Sequence, residues 1–364
     1  MNVSPFVKNY IDSSFEYIDY SGWKIPYIVS SVEEEYKFLN QATAIIDRTH
    51  LGVIKVFGKD SIDLLERLST NKLSDLENGS GIATILTSPN GKIVDLLRIS
   101  HLKDSLLITV SSGNTNSVLE WIDKYTFDED VHFIDISEKF SVIGVIGPNS
   151  NNFLEEWAEC DLKLENFENI CISKYDHDVV IARMDLLGSI SFEVFFPNEI
   201  ASIIYDSLIL SSDPTWVKVI GEKSFEIARI QSNIPKWGNE ITNDYNPLEA
   251  NLLEMISWTK GCYIGQEVVA RLHNYQKVKR YLVSFSVPTS ENILPGDKIV
   301  LNDQNRNISN KLHAGTITSA VSIPGTEKTF GMGYIRTNFI NNSDDLCLLS
   351  GVNIEVDNSS VMDL

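Results

Sequence analysis

The chain of 364 residues has few cysteines and no long apolar run. Its four cysteines are far apart, and none lies at the spacing of a metal-binding pair, so neither a disulfide framework nor a metal site is expected. Nowhere do about eighteen apolar residues follow one another, as a membrane-spanning helix needs. The segment from Met1 to Tyr20 has neither a signal-peptide nor a transit pattern. These absences predict a cytoplasmic protein without a membrane partner.

Positive charge is also scarce. The chain has 30 lysines and arginines against 50 aspartates and glutamates, which gives a formal net charge of −20. Such a charge repels a phosphate backbone, so no nucleic-acid partner is expected. The basic residues that do cluster are Arg271, Lys277, Lys279 and Arg280. They form either a solvated helix end or strand edge, or a site that captures a small anion.

What is present is the composition of an ordinary globular protein, long enough for two or three domains. Three stretches, 53–68, 141–157 and 192–210, each combine an apolar strand, a short polar turn and an amphipathic helix. After about Gln276 the pattern changes to short alternating strands. The sequence therefore predicts α+β units followed by an all-β region.

Cys262 lies in a glycine-rich segment, T-K-G-C-Y-I-G-Q-E-V-V-A-R at 259–271, in which Gly265 opens a predicted helix. A helix amino terminus and Lys260 would favour the thiolate, so Cys262 is either a reactive or ligating group or a structural residue of the turn. The other three cysteines are expected to be small buried apolar side chains, and they are Cys160, Cys171 and Cys347.

Residues 260–267, K-G-C-Y-I-G-Q-E, resemble the K-G-C-Y-x-G-Q-E signature of YgfZ-type proteins. These are folate-binding proteins linked to iron–sulfur cluster assembly and repair, within the superfamily of the glycine cleavage T-protein. Shorter T-protein-like motifs follow in order along the chain. They are S-G-W-K-I-P at 21–26, D-R-T-H at 47–50, L-S-T-N at 68–71, I-G-P-N at 146–149 and G-M-G-Y-I-R at 331–336. The resemblance thus extends over nearly the whole chain.

The resemblance implies an α+β, three-domain T-protein-like ring with a central folate channel. Two α+β domains would be joined by a C-terminal antiparallel β-barrel. The implied segments are a discontinuous folate-binding domain at 1–50 and 139–250, a second domain at 51–138, a signature segment and linker at 251–276, and the barrel at 277–364.

Two carboxylates inherit roles from matching motifs. Glu249, in N-P-L-E-A at 246–250, matches the P-x-E-A/G motif that supplies the pterin-binding carboxylate in T-proteins, whereas the alternative is a surface glutamate at a helix amino end. Asp95, in N-G-K-I-V-D-L-L at 90–97, matches the first aspartate of G-G-x-x-D-D-L, which sits at the reacting folate nitrogen. Here Lys92 and Leu96 depart from the motif, so a structural aspartate is an equal alternative.

The resemblance also places Lys260 and Tyr263 of the signature at the folate site. Arg229 matches the arginine of L-R-L-E-A-G and would approach a ligand carboxylate or amide, or else bond to loop carbonyls. Trp237 would stack on the ligand or pack in the core. The G-Y-T-G-E-x-G-Y-E run of T-proteins is L-L-G-S-I-S-F-E here, at 186–193, which keeps the final glutamate and loses the earlier one.

The resemblance therefore implies a tetrahydrofolate-binding protein that supports iron–sulfur protein maturation through Cys262, with iron–sulfur client or assembly proteins as partners. The alternative is an aminomethyltransferase that takes its one-carbon unit from a lipoyl H-protein, for which Asp95 would be needed. A catalytically silent folate-binding scaffold is the third possibility.

Overall fold

The computed structural model describes residues 2–6, 15–210, 212–288, 293–302, 312–340 and 345–357. Its strands are β1 (Asn2–Val3), β2 (Glu16–Tyr20), β3 (Trp23–Ile28), β4 (Thr43–Asp47), β5 (Gly52–Phe57), β6 (Gly81–Thr87), β7 (Ile93–Leu102), β8 (Ser105–Val110), β9 (His132–Asp135), β10 (Phe140–Ile146), β11 (Asn169–Lys174), β12 (His177–Arg183), β13 (Ser191–Pro197), β14 (Val217–Ile220), β15 (Arg280–Pro288), β16 (Lys298–Leu301), β17 (His313–Ser322), β18 (Lys328–Arg336), β19 (Leu346–Leu348) and β20 (Glu355–Asp357). Its helices are α1 (Val32–Gln41), α2 (Ser61–Leu68), α3 (Thr115–Asp123), α4 (Ser150–Ala158), α5 (Ala201–Tyr205), α6 (Glu222–Gln231), α7 (Gln266–Asn274) and α8 (Thr337–Ile340).

The described chain forms two compact units, each assembled from separate stretches. Unit 1 comprises residues 1–86, 95–228 and 255–263, and unit 2 comprises residues 87–94, 229–254 and 264–364. The four-segment division implied by the resemblance stays a prediction. Among the described residues, no helix is both long and apolar enough to cross a membrane.

Unit 1 contains two larger sheets. One has the strand order β11-β12-β13-β10-β4-β14, with β14 parallel to β4, and the other has the order β6-β7-β8-β5-β9. The three predicted strand–turn–helix stretches are confirmed as β5 with α2, β10 with α4, and β13 with α5. Gly58 and Gly147 make the first two turns at φ near +118° and +116°. A Cβ at either position would lie 2.2–2.3 Å from a backbone oxygen, so the turns require glycine.

The core of unit 1 covers both faces of the six-stranded sheet. Along β10, Ile143 and Val145 belong to one apolar cluster and Val142 and Ile146 to the other. Residues that alternate along a strand point to opposite faces, so a strand buried on both faces must be almost continuously apolar. This explains why β10 and β13 are mostly apolar in the sequence, with Glu193 as the one charged residue in either strand.

The predicted change of pattern after residue 276 is confirmed in unit 2. Its strands form an antiparallel sheet in the order β19-β16-β17-β18-β15-β20, around a core that includes Phe285, Ile299 and Ile317. The mixed α+β class is confirmed as well. In the described residues this sheet has two ends, at β19 and β20. Closure into a barrel, the three-domain ring and the central channel stay predictions.

Candidate functional site

Asp95, in unit 1, is the third residue of β7 and is completely buried. Its Oδ1 accepts hydrogen bonds from the hydroxyl of Ser111 at 2.6 Å and from the backbone N–H of Leu96 at 2.8 Å, and its Oδ2 accepts from the N–H of Ser111 at 3.0 Å. Burial raises the pKa of Asp95, against these hydrogen bonds. The carboxyl group is therefore held in one orientation, which suits either a structural or a reacting group.

A second buried carboxylate of unit 1 is Glu193, in β13. Its Oε1 lies 3.0 Å from Nε of Arg48 and 3.2 Å from Nη2 of Arg98, while its Oε2 is buried and has no hydrogen-bond partner among the described residues. Burial lowers the pKa of Arg98, and the negative charge of Glu193 opposes that effect. A buried acceptor without a partner is costly, so Oε2 of Glu193 has the capacity to accept one further hydrogen bond.

The local sequence explains how Arg48 reaches Glu193. Gly144 of β10 pairs in register with Glu193 on one side, and a Cβ on Gly144 would lie 3.0 Å from Cδ of Arg48. Glycine thus leaves room for the arginine side chain to cross β10. Sequence reasoning assigned no role to Glu193, although the retained glutamate in the otherwise apolar run S-F-E-V-F-F was a signal for it.

Glu249 lies in unit 2, in a turn where Asn246 caps the backbone N–H groups of residues 248 and 249. It is buried and outside any helix, so the alternative of a surface glutamate at a helix amino end is wrong. Its Oε2 accepts from the N–H of Asn246 at 3.1 Å, and its Oε1 accepts from Nε of Arg280 at 3.2 Å. Lys92 places its ammonium 3.6 Å from Oε2.

An aromatic pair lies beside this cluster. The rings of Tyr245 and Tyr334 stack at 3.7 Å with an angle of 11°, and the Arg280 guanidinium lies 4.4 Å from the centre of the Tyr245 ring. Burial raises the pKa of both phenols, so they stay protonated near neutral pH. Arg280 and Lys92 also donate to the carbonyl of Asp244, at 3.0 and 2.8 Å. The two cations are thus fixed by contacts within unit 2.

Arg229 is buried in unit 2, and its guanidinium is used inside the protein. It donates to the carbonyl of Ile234 at 2.5 Å, to Oε2 of Glu240 at 3.1 Å and to the hydroxyl of Ser319 at 3.1 Å. Of the two roles expected for Arg229 from the sequence, these contacts agree with the one in which it bonds to loop carbonyls. Trp237 is half-buried and forms an isolated β-bridge with Ile241. Ligand contacts by Arg229 and Trp237 stay predictions.

In the signature segment, Lys260 is buried, and its ammonium donates to the carbonyls of Glu66, Ser69 and Asn71 at 2.5–2.8 Å. Burial lowers the pKa of Lys260 to about 8. Tyr263 is buried as well, and burial raises its pKa to about 12. Both side chains thus support the segment internally, and folate contacts by them stay predictions.

The cysteines differ in exposure. Cys262 is exposed and its thiol is free, four residues before α7 begins at Gln266. Cys347 is buried as expected, but Cys171 is exposed and Cys160 is only half-buried, so the expectation of burial was wrong for these two. Cys171 lies on β11, the edge strand of its sheet, where one face meets solvent. Among the described residues no group of three or more His, Cys, Asp or Glu side chains could hold a metal ion.

Comparisons with known proteins agree with this fold. The family model described as the GCVT N-terminal domain matches residues 10–260. The aminomethyltransferase of Caldanaerobacter subterraneus subsp. tengcongensis is 25% identical over 341 residues, covering 92% of this chain and 88% of that protein. The aminomethyltransferase of Bacillus velezensis is 26% identical over 341 residues, covering 92% and 90%. The crystal structure of glycine cleavage system aminomethyltransferase T from Bartonella henselae is similar with a TM-score of 0.84 at 19% identity, covering 98% and 96%.

The structural likeness defines a mixed α+β protein with the T-protein fold. Because the family model matches more than half of the sequence, the chain belongs to the GCVT family. The resemblance to the T-protein superfamily is therefore confirmed. The names of the relatives favour the aminomethyltransferase interpretation over the YgfZ-type one, which stays a hypothesis.

Proposed function

We propose that this protein is a tetrahydrofolate-dependent aminomethyltransferase. Relatives named aminomethyltransferase align with 92% of the chain, and family membership supports tetrahydrofolate as the one-carbon carrier. The observation that carries the proposal is Asp95, a carboxyl group buried in unit 1 at the position that the sequence motif assigns to the reacting nitrogen. In the glycine cleavage reaction the donor would be the lipoyl arm of an H-protein.

In the proposed reaction the aminomethyl carbon forms two bonds to folate nitrogens, while its bonds to the lipoyl sulfur and to its own amine break. The two protons lost from the folate nitrogens end on the released thiol and on ammonia. Ammonia and the free thiol of the arm are released. Tetrahydrofolate, when bound, supplies the attacking nitrogens. Asp95 stabilises the positive charge that develops on nitrogen, or takes the proton that is lost there. The Ser111 and Leu96 donors fix the orientation of its carboxyl group for that task.

Two buried carboxylates are candidates for holding the pterin ring, whose amino and ring N–H groups need acceptors. Glu249 is the residue that the sequence motif assigns, but both of its oxygens already accept hydrogen bonds within unit 2. Glu193 has a buried oxygen without a partner among the described residues, and it belongs to unit 1 as Asp95 does. This favours Glu193 as the acceptor, with Glu249 as the sequence-based alternative.

The reaction is tested with an H-protein loaded with the aminomethyl group and with tetrahydrofolate, following ammonia and methylene-tetrahydrofolate. The Asp95→Asn variant should lose about 10²- to 10⁴-fold in rate, as expected for removal of a general acid or base. Cys262→Ala should retain the wild-type rate. Wild-type protein that turns over no donor, or Asp95→Asn with an unchanged rate, would reject the proposal.

The pterin contact is tested by calorimetric titration of tetrahydrofolate into the wild type, Glu193→Gln and Glu249→Gln. A charge-assisted hydrogen bond contributes about 1.5–3 kcal/mol, so loss of the true acceptor should weaken binding about tenfold or more. We expect this for Glu193→Gln and a smaller change for Glu249→Gln. The reverse order would reinstate Glu249, and equal wild-type affinity in both variants would exclude carboxylate recognition.

Support of iron–sulfur protein maturation is a second candidate function, because Cys262 is exposed and free within an eight-residue match to the YgfZ signature. An accessible thiol can attack an electrophile or bind a soft metal. Under this function Cys262→Ala abolishes maturation of an iron–sulfur client and Cys262→Ser does not restore it, whereas Asp95→Asn leaves maturation intact. If Cys262→Ala matures the client normally, this second function is excluded.

A further inference from the structure

Three of the four basic residues noted in the sequence line a cavity of unit 2 that none of the assigned roles explains. This basic cavity opens to solvent and has a volume of about 530 Å³, within the usual range of small-molecule sites. Its lining residues are Arg271, Leu272, Tyr275, Lys277 and Lys279. Three side chains of one charge thus converge on one concave surface in a protein with a net charge of −20.

The backbone around the basic cavity is fixed by the way α7 ends. Gln276 has a left-handed φ of +50°, its N–H donates to the carbonyl of His273 at 3.1 Å, and the N–H of Lys277 donates to the carbonyl of Leu272 at 3.0 Å. These are the two hydrogen bonds of a Schellman cap. Lys279, two residues after Lys277, is held by its carbonyl, which accepts a hydrogen bond from the N–H of Thr337 at 3.0 Å. The positions of both lysines are therefore determined by the fold.

The charges of the basic cavity are not used inside the protein. Among the residues that the structure describes, no carboxylate pairs with Arg271, Lys277 or Lys279, and all three are exposed. Tyr275 is 67% exposed, and the ammonium of Lys277 lies 5.5 Å from the centre of its ring. An exposed aromatic face beside unpaired cations can contact the flat or apolar part of a molecule while the cations bind its anionic groups.

We propose that the basic cavity binds a small anion that carries two or more negative charges. Carboxylates and phosphates share this chemistry, and a planar guanidinium can bind either in a bidentate manner. The negative end of the α7 dipole would by itself stabilise nearby cations. It does not explain why the third cation, Lys279, lies beyond the helix at the same cavity, or why the Tyr275 ring is largely exposed there.

The test is calorimetric titration of the whole protein with pyrophosphate and, separately, with citrate, at about 50 mM and 300 mM salt. Saturable binding of either probe that weakens at the higher salt supports the proposal, and the stronger probe identifies phosphate or carboxylate as the preferred group. Exposed charge contacts are modest, so Arg271→Gln or Lys279→Gln should weaken binding about two- to fivefold each. Their combination should weaken it about tenfold.

Lys103→Gln is the matched control, because Lys103 is exposed in unit 1 and its replacement removes the same charge. It should leave the affinity unchanged, and all variants should retain the wild-type Tm because the replaced side chains are exposed. The proposal is overturned if neither probe saturates at several millimolar, or if Lys103→Gln weakens binding as much as Lys279→Gln. A Tm loss in Lys279→Gln with unchanged probe affinity would show instead that the cations only stabilise the end of α7.

Discussion

Arg280, the first residue of β15, donates a hydrogen bond from its Nε to Oε1 of Glu249 at 3.2 Å. Lys92 lies 3.6 Å from the other oxygen of the same carboxylate. Each cation is about one-third exposed, at 35% and 36% of its side chain, whereas the carboxylate is buried. The Glu249 charge is thus neutralised within unit 2. One of the two cations, Lys92, stands where the G-G-x-x-D-D-L motif has its second glycine.

Glu249→Ala should therefore lower the free energy of unfolding. The change removes a buried acceptor from the N–H of Asn246 and the counter-charge of Arg280 and Lys92, which keep their contacts with the carbonyl of Asp244. Because both cations are partly exposed and water can replace part of the contact, we expect a loss of about 1–3 kcal/mol. Urea unfolding measures it, with Glu254→Ala as an exposed control that should change stability by about 0.5 kcal/mol or less. A loss no larger than that of the control would mean that the Glu249 contacts contribute nothing to stability.

Arg229→Met should destabilise the protein more strongly, by about 3–5 kcal/mol, because it leaves the completely buried Glu240 without its counter-charge. The double variant Arg229→Met with Glu240→Met should be less destabilised than the sum of the two single changes, since a double-mutant cycle isolates the interaction of the pair. Additive losses in this cycle would show that the two side chains act independently. If Arg229→Met were as stable as the wild type but bound folate weakly, Arg229 would instead contact the ligand.

The sequence was informative where the local pattern and the tertiary environment agree. The strands and helices of the three repeated stretches, the helix opened by Gly265 and the antiparallel region after Gln276 all follow from apolar periodicity and turn residues. Gly265 illustrates the reason, because its φ is +86° and a Cβ at this position would lie only 2.5 Å from the carbonyl oxygen of Ser88, which leaves no room for another residue. Such constraints are local in sequence and can be recognised there.

Partners that are distant in sequence could not be predicted in this way. The acceptors of Lys260 are backbone carbonyls about 190 residues earlier, and no residue type marks a carbonyl that lacks a donor. Arg48 and Glu193 are 145 residues apart, and their contact depends on the absence of a side chain at Gly144. Motif matching identified Glu249 and Arg229 as charged residues of interest, but the counter-charges that occupy them emerge only when the chain is folded.

Lys260→Met should cost about 2–4 kcal/mol of stability, because the carbonyls of Glu66, Ser69 and Asn71 lose their common donor while burial keeps most of the water away. Thermal and urea unfolding both measure the loss. Lys72→Met is the control, since Lys72 is a neighbouring surface lysine whose ion pair with Asp75 is exposed, and it should change little. Equal stability of the two variants would show that the three carbonyls do not need Lys260.

Asp95 should give unfolding a recognisable pH dependence. Burial raises the pKa of Asp95 in the folded protein above its ordinary value of about 3.9. The folded state then holds a proton that the unfolded state has lost, so the contribution of Asp95 to stability is present at low pH and declines as pH rises through the folded pKa. Asparagine does not titrate. The free energy of unfolding of Asp95→Asn, relative to that of the wild type, should therefore increase from about pH 4 toward neutrality by at most about 1.4 kcal/mol per pH unit. The difference in Tm should follow the same trend. Asp104→Asn, at an exposed position, should show no such trend, and a difference that increases toward acid would mean that the pKa of Asp95 is lowered in the folded protein.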